Sequence, residues 1–168
     1  RTKGVGVLSK EDAINYAITG PSGRASGFAC DCRKRHPYSI YNELDFKEIV
    51  YTEGDSFARY LLRLEEIEQS VKILEQLVDN IPEGEIRAQV PKIIKLPVGR
   101  WYQQVEASRG TFGVFIESDG HKNPYRVHFQ SPCFNLVGVM DLCCKGQMIA
   151  DLITIGAALD FVIPDIDR

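Results

Sequence analysis

Two carboxylates sit in the most apolar stretch of this 168-residue sequence, the run from Met148 to Ile163. Asp151 lies inside a segment that reads as an apolar helix from Gln147 to Leu159, and Asp160 stands at that helix's expected end. A carboxylate at a helix C-terminus meets the unfavourable end of the helix dipole. Burial would favour the protonated form further, a property that suits a group handling protons. The simpler reading gives each acid a hydrogen-bond partner or a nearby arginine. Both readings stay open at the level of sequence.

Other reactive types are scattered. The cysteines Cys30, Cys32, Cys133, Cys143 and Cys144 form a C-x-C pair, a lone residue and an adjacent pair, and none of these is a usual zinc spacing. They read as reduced, buried or incidental thiols, with a cluster shared between the pairs as the alternative. His36, His121 and His128 are far apart and fall in a loop, a turn and a polar strand face. Arg24, Arg33, Lys34, Arg35 and His36, beside Tyr38 and Tyr41, could cradle an anion. A solvated or interface loop is the reading preferred for them, with Asp31, Glu43 and Asp45 at hand to neutralise part of the charge. No phosphate-binding glycine loop, Walker motif or nucleophile elbow is present.

Composition narrows the class. Hydrophobic residues make up 44% and charged residues 26%, which suits one globular domain with a sizeable core. A net charge of −3 argues against nucleic acid as a partner. No apolar run reaches the length of roughly 18 residues that a membrane span needs. The start, Arg1-Thr2-Lys3-Gly4, has neither an initiator Met nor a signal-like apolar region, so residues 1–168 are expected to be a C-terminal domain or fragment of a longer chain.

The elements that must position these residues follow from pattern. Ser9 and Asp12 resemble a capping box opening a short helix that Gly20-Pro21 stops. The stretch 20–41 reads as loop. Asp55 is a good N-cap, and Pro82 marks the stop of a long helix spanning about 55–81. Phe57, Leu64, Val71 and Val78 recur every seven residues, and Tyr60, Ile67, Leu74 and Ile81 repeat that spacing three positions later. Such a seam predicts packing inside a helical bundle, with Arg63, Glu65, Glu66, Glu68, Lys72 and Glu75 on a solvated face. Residues 101–107, 112–117 and 125–130 predict a three-stranded antiparallel sheet with one face on the core. After Pro132 the pattern turns helical again, over 134–142 and 147–159. The fold class is α+β: a helix bundle with one long helix and a small antiparallel sheet over about 101–130.

Several stretches carry a family resemblance. They are Arg24-Ala25-Ser26-Gly27, then Arg33-Lys34-x-His36-Pro37-Tyr38, Glu106-Ala107-Ser108-Arg109-Gly110, Ser118-Asp119-Gly120 and Pro124-Tyr125-Arg126. The tail Lys145-Gly146…Ala150-Asp151…Asp160…Asp165-Ile166-Asp167-Arg168 completes the set. Together they resemble the C-terminal part of the D-type subunits of respiratory complex I, the proton-pumping NADH:quinone oxidoreductase. That family is similar in turn to the large subunit of nickel-iron hydrogenases, whose D-P-C-x-x-C motif holds the metal through thiolates. Here the matching positions read Asp160-Phe161-Val162-Ile163-Pro164-Asp165, so Val162 and Asp165 stand where the cysteines would be. A valine donates nothing to nickel and a carboxylate is a hard oxygen ligand, so the thiolate site cannot form.

The resemblance implies a hydrogenase-large-subunit-like fold and a part in the quinone-reducing module of NADH-quinone oxidoreductase. Val162, Phe161 and Asp160 would line the quinone chamber, and Asp160 would take part in proton coupling, with Asp151 as a second candidate for that role. No catalytic residue and no metal ligand is expected in this stretch, because the family's quinone-head His and Tyr lie in its N-terminal half. The piece alone is expected to bind no cofactor and to be inactive. Quinone would be the substrate of the whole complex, with an iron–sulfur cluster in a neighbouring subunit. The implied partners are other complex I subunits of the B, C, H and I types, in the peripheral arm at the cytoplasmic face of the bacterial inner membrane. The alternatives are a hydrogenase-like or ferredoxin-linked oxidoreductase subunit, and a structural docking module using the long helix. As an isolated piece, the tail from Asp160 onward is expected to face solvent or a neighbour rather than close a complete pocket.

Overall fold

The computed structural model describes residues 1–167. Helix α1 (Lys10–Asn15) starts as the Ser9 signal predicts, with the Ser9 hydroxyl accepting from the Asp12 N–H at 3.0 Å. The stretch 20–41 is not the loop expected from its glycines and prolines. It holds α2 (Gly20–Ala25), α3 (Cys32–Arg35) and a 3-10 turn at Tyr41–Glu43. Helix α1 ends at Asn15, before Pro21, and the left-handed Ala17 turns the chain; Pro21 lies in the first turn of α2, where a missing N–H costs nothing. Asp31 caps α3 through the Arg33 N–H.

The long helix α4 (Ser56–Val78) is capped by Asp55, whose carboxylate accepts from the Ala58 N–H at 2.7 Å. It ends short of Ile81, and 79–98 has no regular structure. Its orientation reverses the expected one. The seven-residue seam faces outward, with Ile67 at 60% and Leu74 at 59% exposure, while Ser56, Ala58, Arg59, Leu62 and Ile73 are buried. Part of the face expected to be solvated packs as well: Arg63, Glu65 and Glu66 are half-buried, while Glu68, Lys72 and Glu75 are exposed. An extended segment, 45–53, runs along it, and Gln76 bonds both the N–H and the C=O of Asp45. Gln69 accepts from the Lys47 N–H, and Glu65 accepts from the Tyr51 hydroxyl. Side-chain amides thus satisfy an extended backbone that has no strand partner.

Strands β1 (Gly99–Ala107), β2 (Gly110–Ser118) and β3 (Arg126–Gln130) form an antiparallel sheet in that order. Ala107 pairs with Gly110, so the β1–β2 connection is the two-residue turn Ser108-Arg109. The Phe112 and Phe129 rings stack across β2 and β3 at 6.2 Å. The expected burial of one face is not found. Every residue of β3 is exposed, and burial concentrates at the start of β2, where the Thr111 N–H donates to Thr19 Oγ1.

After the sheet come α5 (Pro132–Gly138), α6 (Met140–Cys144), α7 (Asp151–Leu159) and α8 (Ile163–Ile166). The expected single segment over 134–142 is broken at Val139, which ends α5 and caps α6. The main core joins Val5, Leu8, Ala13 and Ile18 to Leu136, Val139, Cys143, Ile155 and Leu159. A smaller cluster of Ala25, Ala58 and Leu62 seats α2 on α4. Arg59 is fully buried between them and donates to the carbonyls of Gly6 and Gly54 at 2.9 Å each. The apolar tail is only partly docked: Ile155 and Leu159 are enclosed, while Ile153 stays 80% exposed. Helices plus a small sheet make the chain α+β, as its pattern predicts. No helix among the described residues is long and apolar enough to cross a membrane.

Candidate functional site

Asp160 is the C-cap of α7 and takes the left-handed conformation, φ 59°. A non-glycine residue there is uncommon and needs support. Its own N–H donates to the Gly156 carbonyl at 3.1 Å, and Arg109 holds it from the other side. Arg109 Nε donates to the Asp160 carbonyl at 3.2 Å, and Nη2 lies 3.3 Å from Oδ1. The hairpin turn therefore clamps the helix end where the chain turns toward Phe161 and Val162. With its carboxylate 40% exposed and beside this guanidinium, Asp160 has the nearby arginine of the simpler reading.

Beyond the clamp the tail docks through polar contacts to α5. The Val162 N–H donates to Cys133 Sγ at 3.4 Å, and the Ser131 hydroxyl donates to the Asp165 carboxylate. Ser131 also caps α5 by accepting from the Cys133 N–H. Val162, Asp165, Cys133, Phe112, Ser108 and Arg109 surround a cavity of about 230 Å³. Burial raises the Cys133 pKa, and the adjacent Asp165 carboxylate adds to that, so the residue is a neutral thiol near pH 7. Phe161 does not line this cavity; it turns inward and packs, partly buried, against the main core. The tail is tied down without being enclosed, since α8 has no buried residue.

Asp151 is elsewhere. It opens α7 instead of lying inside it, at the end where the helix dipole favours a carboxylate, and pairs with Arg1 at 3.1 Å. The length of α7, about 1.5 Å per residue, separates it from Asp160. The two acids are not brought together.

A second polar centre underlies the hairpin. Arg24, expected in a basic loop, is buried, with Nε 2.7 Å from Glu66 Oε1 and Nη1 2.7 Å from Glu106 Oε1. Burial alone would lower its pKa, but the two carboxylates outweigh that and raise it. Arg33 pairs with Asp31 at 2.7 Å, so this cation too is neutralised. The second oxygen of Glu106 accepts from the Cys32 N–H, which ties α2, α3, α4 and β1 to one side-chain cluster. A cavity of about 280 Å³ lies over these groups and shares Ala107 and Ser108 with the Val162 cavity. The resemblance motifs containing Arg24, Arg33 and Glu106 were the signals of this centre in the sequence.

The cysteines do not converge on one another in a group of metal-ligating side chains among the described residues. Burial pushes Cys30 up to about 11 and Cys32 up to about 12, with Glu106 adding to both. All five are free thiols, and no three His, Cys, Asp or Glu side chains converge on a metal-sized space among the described residues. His36, His121 and His128 lie on α3's end, the hairpin loop and exposed β3.

Comparison with known proteins identifies the family. The chain matches the family described as "Respiratory-chain NADH dehydrogenase, 49 Kd subunit" over residues 1–96 and 90–168. It is 61% identical to the fused C/D-type subunit of the NADH-quinone oxidoreductase of Bacteroides fragilis, covering all of this chain and 32% of that protein. It is 50% identical to the D-type subunit of the same enzyme from Desulfotalea psychrophila, covering all of this chain and 45% of the relative. With the D-type subunit from Bacillus cereus the identity is 46%, over 99% of this chain and 46% of that protein. The chain thus spans about a third of the fused relatives and just under half of the unfused ones. With matches to the family model reaching from its first residue to its last, the chain belongs to the 49 kDa subunit family of the respiratory-chain NADH dehydrogenase.

Proposed function

We propose that this chain forms the C-terminal wall of the quinone chamber in the quinone-reducing module of NADH:quinone oxidoreductase. The observation that carries the reading is the clamp: an apolar residue, Val162, lines a cavity together with Arg109, the guanidinium that pairs with Asp160. An apolar wall suits a quinone ring, and an adjacent, partly exposed carboxylate–guanidinium pair suits coupling of its reduction to proton movement. Asp160 is the proton-coupling candidate. Asp151, paired with Arg1 at the far end of α7, has a weaker case. Phe161 supports the wall from behind by anchoring Val162 to the core. Val162 and Asp165 occupy the positions of the metal-holding thiolates in the similar hydrogenases.

The whole complex passes electrons from NADH to quinone and translocates protons. This piece binds no cofactor; the iron–sulfur cluster belongs to a neighbouring subunit, and the partners are the B, C, H and I types. Nucleic acid is not among them. The assembly sits in the peripheral arm at the cytoplasmic face of the bacterial inner membrane, and the isolated piece is inactive.

The test is Val162→Trp in the intact complex. An indole at this position fills much of the cavity. The KM for quinone is expected to rise about tenfold or more, with sensitivity to chamber-blocking inhibitors falling in parallel. Unchanged kinetics and inhibitor sensitivity in a normally assembled complex would show that this residue forms no part of the chamber.

A further inference from the structure

The Val162 cavity has an aromatic wall that the clamp does not use. Phe112 borders it together with Pro132 and Val162, which makes this side hydrocarbon. The opposite chemistry comes from the hairpin turn, where Arg109 and Ser108 border the same space. Arg109 donates to Asp160 and to the Ser108 hydroxyl, and these bonds do not exhaust the donors of a guanidinium. Cys133 adds a weakly polar thiol, and Asp165 a carboxylate that accepts from Ser131.

The Phe112 ring is held in place. It stands opposite Val105 in the β1–β2 pairing and stacks on Phe129, with 26° between the ring planes. Phe129 does not border the cavity, so it backs the ring from β3. At the start of β2 the backbone is wedged between two elements. A Cβ on Gly110 would stand 2.6 Å from Thr19 Oγ1 and 3.1 Å from Pro132 Cβ. The Thr111 N–H is fixed on Thr19 Oγ1 at 2.9 Å. A ring so supported is a preformed stacking surface, and a ligand pays little to order it.

The cavity is thus divided into a hydrocarbon side and a donor side. A quinone built on a fused ring system is divided in the same way. Its carbonyls sit on one ring, and the second ring is bare hydrocarbon with a full π face. A single-ring quinone bearing ether groups is different. With its carbonyl at Arg109, its ether oxygens would lie against hydrocarbon and lose their hydration without replacement. We infer that Phe112 is a specificity-determining residue of this chamber: it stacks on the fused ring of a naphthoquinone and favours that class over ether-substituted benzoquinones. The inference rests on the chamber reading.

The test compares a naphthoquinone and a dimethoxybenzoquinone with matched short tails in the intact complex. The parent is expected to show the higher kcat/KM with the naphthoquinone. Phe112→Leu keeps an apolar side chain and removes the π face. Its KM for the naphthoquinone is expected to rise about fivefold, the equivalent of about 1 kcal/mol, with the benzoquinone KM nearly unchanged. Phe112→Tyr keeps the ring and is expected to keep the parent's preference. A parent that uses the benzoquinone equally well or better overturns the inference, as does a leucine variant that shifts both substrates alike. If the leucine variant does not assemble, an azido-naphthoquinone on the parent decides. It is expected to label the peptide containing Phe112, with the naphthoquinone competing at lower concentration than the benzoquinone. Adducts on 160–165 with none at Phe112 overturn this inference and leave the chamber reading standing.

Discussion

Arg24→Ala is expected to destabilise the chain by about 3–5 kcal/mol, the cost of breaking a buried ion pair from one side. The magnitude follows from what the substitution leaves behind. Glu106 is almost fully buried and Glu66 largely so, with side-chain exposures of 4% and 20%, and both would lose their short charged contacts at once. Two carboxylates would then face each other with no cation between them. Water reaches Glu66 more readily, so Glu106 carries most of the penalty. Arg24→Lys is expected to recover only part of the loss. A lysine ammonium can reach one carboxylate, but it lacks the planar fork that meets Glu66 through Nε and Glu106 through Nη1. Denaturant unfolding of the two variants against the parent checks both expectations. A loss under about 1 kcal/mol for the alanine variant would mean that water or rearrangement already compensates these acids.

Gly20→Ala is expected to cost about 3 kcal/mol, through backbone strain and overpacking together. Gly20 has φ +66°, and a Cβ there would stand 2.4 Å from Gly110 Cα and 2.6 Å from the Arg109 carbonyl. Neither atom is the end of a flexible side chain. The first turn of α2 and the Ser108-Arg109 turn lie backbone against backbone, and a methyl must push them apart. Because Arg109 is the clamp on Asp160, the substitution is also expected to lower quinone reductase activity in the intact complex. Gly4→Ala supplies the control. Gly4 has φ +74° with nothing near its Cβ position, so only the conformational cost of about 1 kcal/mol applies. Equal losses for the two variants would place the whole effect in the backbone angle and none in the contact.

What could be read from the sequence divides along range of interaction. The Ser9 and Asp55 caps, the length of α4 and the β2–β3 pairing depend on neighbours close in sequence, and all are found near where the pattern puts them. The direction of the α4 seam was not legible. Periodicity identifies which residues share a face, but it does not say what covers that face. Here the polar side of α4 was claimed by 45–53, through Gln69 and Gln76, whose amides look like ordinary surface residues in sequence. Arg24 was equally hidden, since its partners lie 42 and 82 residues away. The left-handed Asp160 has no local signal, because the usual residue for that conformation is glycine. Its role in turning the tail depends on Arg109 from a different element. The tail's motif contributes to the family resemblance, and the family is the one that the comparisons show.

Photoaffinity labelling with an azido-quinone in the intact complex decides whether the tail is a wall of the chamber. A covalent adduct on residues 160–165 is expected, with Val162 or its neighbours modified, and it should disappear when excess unlabelled quinone is present. Competable labelling that falls wholly on other parts of the complex, with 160–165 unmodified, would contradict the chamber role.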